Sequence, residues 1–333
     1  MHRVVIFTNS NSGLSAILVR SALAALASRD DMELAAICLP KVQPFANALF
    51  NCLMNRTILN IAFSLDPLLK RRHSFPLPID LNRLSRRLRF KILIPSENNI
   101  NHPHFIALIR NEVRPTIALS LYYPKKFGSD LLLVFKHAVN YHNGLLPAYR
   151  GLKTTAWSIY HGEQETGFAF HHMTKGLDEG PILTQEALPI HSDQSSFDIE
   201  LEKAIMAAKH IPHVLRMIAE GNPGKPQFGK GRYFSMADYR AITGIQDPAI
   251  ISSSELTRRL RAFEHLQIKI SGGWREVTKI APLSDQLGKM GRFCFQTSDK
   301  VMIKPMRFRH LPFFIMRLVF TLFLKRISRI IAR

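Results

Sequence analysis

A chain of 333 residues with 46% hydrophobic content has material for a full buried core and for more than one domain, which places it among soluble enzymes rather than disordered or fibrous chains. Its 45 Lys and Arg against 25 Asp and Glu leave a net charge of +20, a balance that points to anionic partners. The three cysteines, Cys38, Cys52 and Cys294, are scattered at no metal-ligand spacing; they argue against a disulfide framework and a metal site, and for a reducing cytoplasm.

Val4 to Phe7 reads as a first strand, not as the long apolar region of a signal peptide. A polar Thr8-Asn-Ser-Asn-Ser-Gly13 segment leads into a helix predicted over Leu14 to Ala27. Glu33 to Leu39 reads as a second strand, Ile92 to Pro95 as a third, Phe105 to Glu112 as a helix, Thr116 to Leu121 as a fourth strand and His137 to Tyr141 as a fifth. This alternation predicts an α/β fold with a Rossmann-like, mostly parallel sheet that binds ligands at the carboxyl ends of its strands. No Gly-x-Gly-x-x-Gly follows the first strand, so a nicotinamide dinucleotide is disfavoured.

Two segments interrupt this pattern. From Val42 to Leu65 only Arg56 is charged, and Asn47, Asn51 and Asn55 recur at helical spacing, which predicts an apolar helix with a narrow polar stripe. Residues 70–91 then carry eight Lys or Arg against the single Asp80. At the other end, Leu311 to Leu324 carries only Arg317 and runs into Lys325-Arg326-Ile-Ser-Arg329-Ile-Ile-Ala-Arg333, a basic amphipathic helix by pattern. Between them, a Pro- and Gly-rich stretch after Gly221 precedes a helix starting near Ser252 or Ser253, with a capping box to Glu255 if Ser252 is the cap. Short strands predicted around Gln267 to Ile270, Glu276 to Ile280, Arg292 to Gln296 and Val301 to Lys304 make this a small β-rich domain.

The chemistry concentrates in Asn140-Tyr-His142-Asn-Gly-Leu145-Leu-Pro147-Ala-Tyr149-Arg-Gly151 and the later Gly176-Leu-Asp178-Glu-Gly180. These supply an amide, an imidazole and a carboxylate, each beside turn-forming residues. Asn140 and His142, two apart on an extended segment, project from one face and can address one oxygen. Such a set suits a tetrahedral oxyanion and its proton. Taken singly, each residue reads more simply as an ordinary polar or turn residue. In this order they resemble the signature of the folate-dependent formyltransferases: Asn-x-His, Leu-Leu-Pro, an aromatic-Arg-Gly step and a Gly-x-Asp-x-Gly loop. Glu165 to Met173 and Pro181 to Ile190 fit the same resemblance. Asn143-Gly144 departs from the Pro-Ser common there.

The resemblance implies Asn140, His142 and Asp178 as catalytic residues and 10-formyltetrahydrofolate as formyl donor. It places the folate among Ser120, Leu121, Tyr122 and Tyr123 on one side and Lys175, Gly176 and Leu177 on the other. It also implies a catalytic domain over 1–220 with an insertion at about 42–91, a small carboxy-terminal domain over 225–310 and the tail at 311–333. The acceptor expected is a primary amine, favoured as an amino sugar or similar small amine linked to a nucleotide or lipid. Methionyl-tRNA is the runner-up, since a basic enzyme suits tRNA phosphates. A catalytically silent membrane-associated scaffold is the third reading. Charge concentrated beside apolar sequence in 42–91 and 311–333 favours an anionic membrane surface, hence a peripheral place at the inner face; docking on the protein itself or a homodimer contact is the alternative use of those helices.

Overall fold

The computed structural model describes residues 1–11, 13–41, 79–229, 231–270, 272–282 and 294–306. The apolar helix expected from Val42, with the first half of the basic run behind it, and the whole tail over 311–333 lie outside the described residues. No helix among the described residues is long and apolar enough to cross a membrane.

The chain divides into two compact units, and the described residues through Met236 form the first. Its centre is a seven-stranded sheet. Strands β1 (His2–Thr8), β2 (Met32–Cys38), β3 (Lys91–Leu93), β4 (Ile117–Leu121) and β5 (His137–His142) are mutually parallel in the order β3-β2-β1-β4-β5. The predicted strands are all present. The sheet is mostly parallel, as expected, and beyond β5 the strands β7 (Glu165–His172) and β8 (Ile182–Pro189) add an antiparallel edge. The short connection through Gly176 to Gly180 sets β8 antiparallel to β7, because a parallel return needs a crossover of a dozen or more residues.

Both faces of the sheet are covered, so its central strands are apolar throughout: all five residues of β4 are buried. One face packs on α1 (Gly13–Ala27) and α6 (Ser196–Ala219), joining Val4, Ile6, Leu119, Val139 and Tyr141 to Leu18, Val19, Ile211 and Leu215. The other face joins Val5, Phe7 and Ala118 to Phe105, Ile106 and Ile109 of α3 (Pro103–Leu108) and the π-turn that extends it. The basic α2 (Leu81–Leu88) buries only Leu81 and carries Arg86 and Arg87 in its last turn. Between β5 and β7 lie β6 (Tyr149–Gly151) and α5 (Thr154–His161), with the four-residue α4 (Ser129–Leu132) ahead of β5.

Helix α6 starts at a capping box: the Ser195 side chain accepts from the Asp198 N–H while the Asp198 carboxylate accepts from the Ser195 N–H. Pro212 lies inside this helix and removes the donor that Ala208 would otherwise receive. Ser21 of α1 supplies it, its hydroxyl donating to the Ala208 carbonyl. The cross-helix bond keeps α6 seated on α1 through its proline, which matters because α6 carries two residues of the site.

The second unit holds the described residues from Ala237. After α7 (Met236–Thr243) and β10 (Gly244–Ile245), the Ser252 side chain accepts from the Glu255 N–H and starts α8 (Ser253–Phe263). The return half of the expected box is replaced: the Glu255 carboxylate takes Arg258 and Arg259 instead. Strands β11 (Leu266–Ile270) and β12 (Gly273–Val277) form a hairpin beside β10, and β13 (Lys279–Pro282), β15 (Met302–Met306) and β14 (Phe295–Gln296) form a second small sheet. The single strand expected over Glu276 to Ile280 is thus the end of β12 and the start of β13, divided at Thr278. Ile245, Leu256, Leu266, Ile268, Val277, Phe295 and Ile303 make this unit's own core.

Candidate active site

The carboxyl end of β5 delivers two residues to one place. Along the strand, Val139 and Tyr141 point into the core, so Asn140 and His142 share the opposite face. Antiparallel pairing with β7 sets His171 directly across from Asn140. Asp178, in the loop from β7 to β8, adopts φ 55°, a left-handed conformation that Asp tolerates better than most residues. A Cβ at Gly180 would lie 1.8 Å from the His172 carbonyl oxygen, so only glycine permits the fold of the loop that carries Asp178. Gln227 closes the loop by donating to the carbonyls of Asp178 and Gly180 at 2.9 and 2.7 Å.

These residues converge on the Asp178 carboxylate. The Asp178 Oδ2 accepts the Gly151 N–H at 2.9 Å and lies 3.5 Å from His142 Nδ1, while Oδ1 lies 3.5 Å from His171 Nε2. His142 Nε2 donates to the Tyr149 carbonyl at 2.7 Å, which leaves Nδ1 with the lone pair facing the carboxylate. His171 Nδ1 donates to the His172 carbonyl at 2.8 Å, so its Nε2 accepts from Asn140 Nδ2 at 3.3 Å. One of the two Asn140 amide hydrogens is thereby used and the other is left for a ligand.

Burial sets the charge states. His142 is pushed below the ordinary imidazole value of 6.5 by burial, with Asp178 opposing and His171 reinforcing the shift. The resting group is therefore a neutral imidazole. Burial works to raise Asp178, but its attraction for a proton on His142, the contact with His171 and the Gly151 N–H outweigh it and hold the carboxyl well below the usual range. Asp178 stays ionised throughout; His142 acquires its charge only when a proton is delivered to Nδ1. The carboxylate then stabilises it.

The cluster lies on the wall of a cavity of about 580 Å³. Of the residues expected to hold a folate, Ser120, Tyr122, Tyr123, Gly176 and Leu177 also line it. Leu121 does not; it is fully buried in the core beneath α1 and α6. Lys175 stands outside the wall, whereas Lys125, Lys126 and Lys153 are on it. Tyr122 takes φ 61° and turns its hydroxyl to Tyr141 at 3.3 Å, which anchors the exit of β4. Two groups of acceptors and donors were not singled out in the sequence: His171, found only through strand register, and the α6 pair Glu200 and Lys203. Glu200 lines the cavity. Lys203 falls on the apolar stripe through Ile199, Ala207 and Ile211, a placement visible as helical spacing. No cluster of His, Cys, Asp or Glu among the described residues could hold a metal ion.

The departure at Asn143-Gly144 has a local cause. A Cβ on Gly144 would lie 2.9 Å from both the Thr154 side chain and the Tyr149 carbonyl oxygen. The turn behind His142 is too tight for any larger residue without a shift of backbone.

The fold and this cluster have counterparts among known proteins. Residues 99–215, which include the whole cluster, match the model of the Formyl transferase family. The chain is 34% identical over 164 residues to the GDP-perosamine N-formyltransferase of Brucella melitensis, a match that covers 47% of this chain and 62% of that relative. It therefore spans less than two thirds of that relative's length. By fold it is similar to a sugar N-formyltransferase from Shewanella, at a TM-score of 0.59 and 18% identity over 87% of this chain and 99% of that one. A Helicobacter canadensis N-formyltransferase solved with folinic acid and dTDP-3-aminofucose gives a TM-score of 0.55 and 17% identity over 92% and 100% of the two chains.

Proposed function

We propose that this protein is an N-formyltransferase that moves the formyl group of 10-formyltetrahydrofolate to the primary amine of a nucleotide-linked amino sugar. The observation that carries the reading is the convergence of Asn140, His142 and Asp178 on one cavity wall at the carboxyl end of β5. When bound, the folate supplies an activated formyl amide; Ser120, Tyr122, Tyr123, Gly176 and Leu177 are the residues to hold it.

The chemistry then follows from the cluster. The acceptor nitrogen attacks the formyl carbon and the carbonyl oxygen becomes an oxyanion, which the remaining Asn140 N–H stabilises. The nitrogen must shed a proton as the new C–N bond forms, and His142 Nδ1 holds a lone pair for it beside an ionised Asp178. The C–N bond to the folate breaks as its nitrogen takes up a proton, which the imidazolium returns. One proton enters His142 and one leaves, so the group is ready for another turnover.

The named relatives favour a nucleotide-linked amino sugar over methionyl-tRNA as acceptor: the Brucella melitensis protein is named for GDP-perosamine and the Helicobacter canadensis structure contains dTDP-3-aminofucose. A working position at the cytoplasmic face of a membrane belongs to the same proposal and rests on charge placed beside apolar sequence. Incubation with 10-formyltetrahydrofolate and a panel of GDP- and dTDP-linked amino sugars, read by mass spectrometry, tests the acceptor class. A gain of one CO unit on a sugar nucleotide supports it; robust formylation of methionyl-tRNA with no sugar nucleotide modified would overturn it.

A further inference from the structure

We propose that Lys203 is a positioning residue, reaching through the core from α6 to fasten the turn directly behind His142. The side chain is fully buried. Its Nζ donates to Thr166 Oγ1 at 2.8 Å, Thr155 Oγ1 at 2.9 Å and the Asn143 carbonyl at 3.3 Å. An ammonium has three N–H donors, and each has an acceptor here. The three acceptors belong to three different elements: β7, the first turn of α5 and the residue after His142.

The rest of the network is arranged around that cation. Thr166 passes its own hydrogen to Ser158 at 3.3 Å, and Ser158 donates to the Thr154 carbonyl at 3.0 Å, so the hydroxyl oxygen of Thr166 is oriented to accept from Lys203. Thr154 donates to the same Asn143 carbonyl that Lys203 holds. With Gly144 pressed against Thr154 and the Tyr149 carbonyl, residues 142–144 have no room to drift while these bonds stand.

Burying a cation is costly, and a methionine would fill the same channel without that cost. Burial pushes the Lys203 ammonium down to about 7, with Glu200 one turn earlier opposing it. What the charge contributes is direction: three donors from one point hold the turn in one geometry. Lys203 also bears on His142 through space. Among the groups facing that imidazole, Asp178 favours its protonation, while His171 and Lys203 disfavour it.

Full-length Lys203→Met is the test, with two readouts. Turnover of the identified acceptor should fall on the order of a hundredfold with the KM for the folate donor unchanged, the loss expected when a reacting group is displaced by about an ångström. The His142 ring resonances, followed by NMR titration without any substrate, should shift and titrate at higher pH. The kinetic arm rests on the formyl-transfer reading; the NMR arm does not, and it decides the matter if no acceptor is turned over. Unchanged kcat, or unchanged His142 resonances where there is no turnover, overturns the proposal even if the variant melts at lower temperature. If Lys203→Met does not fold, Thr155→Val and Thr166→Val each remove one acceptor and keep the cation. Unaltered His142 resonances in both variants would overturn the proposal equally.

Discussion

At the scale of single residues, burial keeps His142 neutral while the neighbours of Asp178 overcome burial and keep that carboxyl ionised. Asn140→Ala, His142→Ala and Asp178→Asn should each lower kcat by roughly a hundredfold or more with the fold intact, the scale of losing an oxyanion donor or a proton carrier. Near-normal turnover by folded His142→Ala would sink the mechanism. The pH profile follows from the direction of the His142 shift. A base that must be neutral, held below 6.5, gives a kcat/KM that is flat on the alkaline side of that value and falls as pH drops through the lowered value. Stability moves with the same sign. Below 6.5 the unfolded chain takes up a proton that folded His142 refuses, so the melting temperature should fall with pH over that window. A melting temperature that rises on acidification there would refute this assignment. Asn140, His142 and Asp178 were legible because their residue types and order carry the chemistry without geometry. His171 was not, because what brings it to Asp178 is its register opposite Asn140, and register is a property of two strands rather than one. Lys203 was legible only in its spacing on the apolar stripe of α6, because the three acceptors that justify burying the lysine come from three distant segments.

At the scale of elements, two short strands hold the Asp178 carboxylate. Strand β6 pairs with β9 (Arg232–Phe234), and Gly151 at its end donates to Asp178 while taking φ +90°. A Cβ there would stand 2.3 Å from the Phe234 carbonyl oxygen. We therefore expect Gly151→Ala to cost on the order of 1 to 3 kcal/mol from backbone strain, and to reduce turnover as well by pulling the N–H away from Asp178. Chemical denaturation combined with kinetics on the folded fraction checks both parts; a variant that is both stable and fully active would show that the ladder is irrelevant to the site. Ser195→Ala removes the cap of the helix that bears Glu200 and Lys203 and should cost about 1 kcal/mol, read as a lower denaturation midpoint at unchanged slope. The central strands were legible because burial on both faces makes each a plain apolar run. The antiparallel edge was not, since β8 buries only Leu183 and Leu188, five residues apart, and its direction depends on how tightly the Gly176 to Gly180 loop turns. Strand β6, three residues long, has no periodicity to detect at all.

At the scale of the whole molecule the charge is unevenly distributed along the chain. Residues 70–91 and 300–333 carry +7 and +9, so together they hold +16 of the +20. Apolar sequence flanks both, and Leu311 to Leu324, at fourteen residues, is too short to span a hydrocarbon core of about 30 Å. Attachment to a surface is the use of such a segment that satisfies both facts. Basic residues near an anionic leaflet contribute about 1 kcal/mol each, and apolar side chains about 1.5 to 3 kcal/mol each if fully buried, with less for the partial burial of an interfacial helix. Against both stands the cost of ordering the segment, roughly 1 to 2 kcal/mol per residue, which neither contribution offsets alone. The expected outcome is that the intact chain floats with vesicles containing phosphatidylserine at low salt, is released at high salt, and binds neutral phosphatidylcholine vesicles weakly. A chain ending at His310 should remain at the bottom of the gradient in every case. Equal flotation of the two chains would return the tail to docking on the protein itself or to a homodimer contact, and would leave the amino-sugar reading without its membrane setting but otherwise intact, because that reading rests on the cavity and not on the charge.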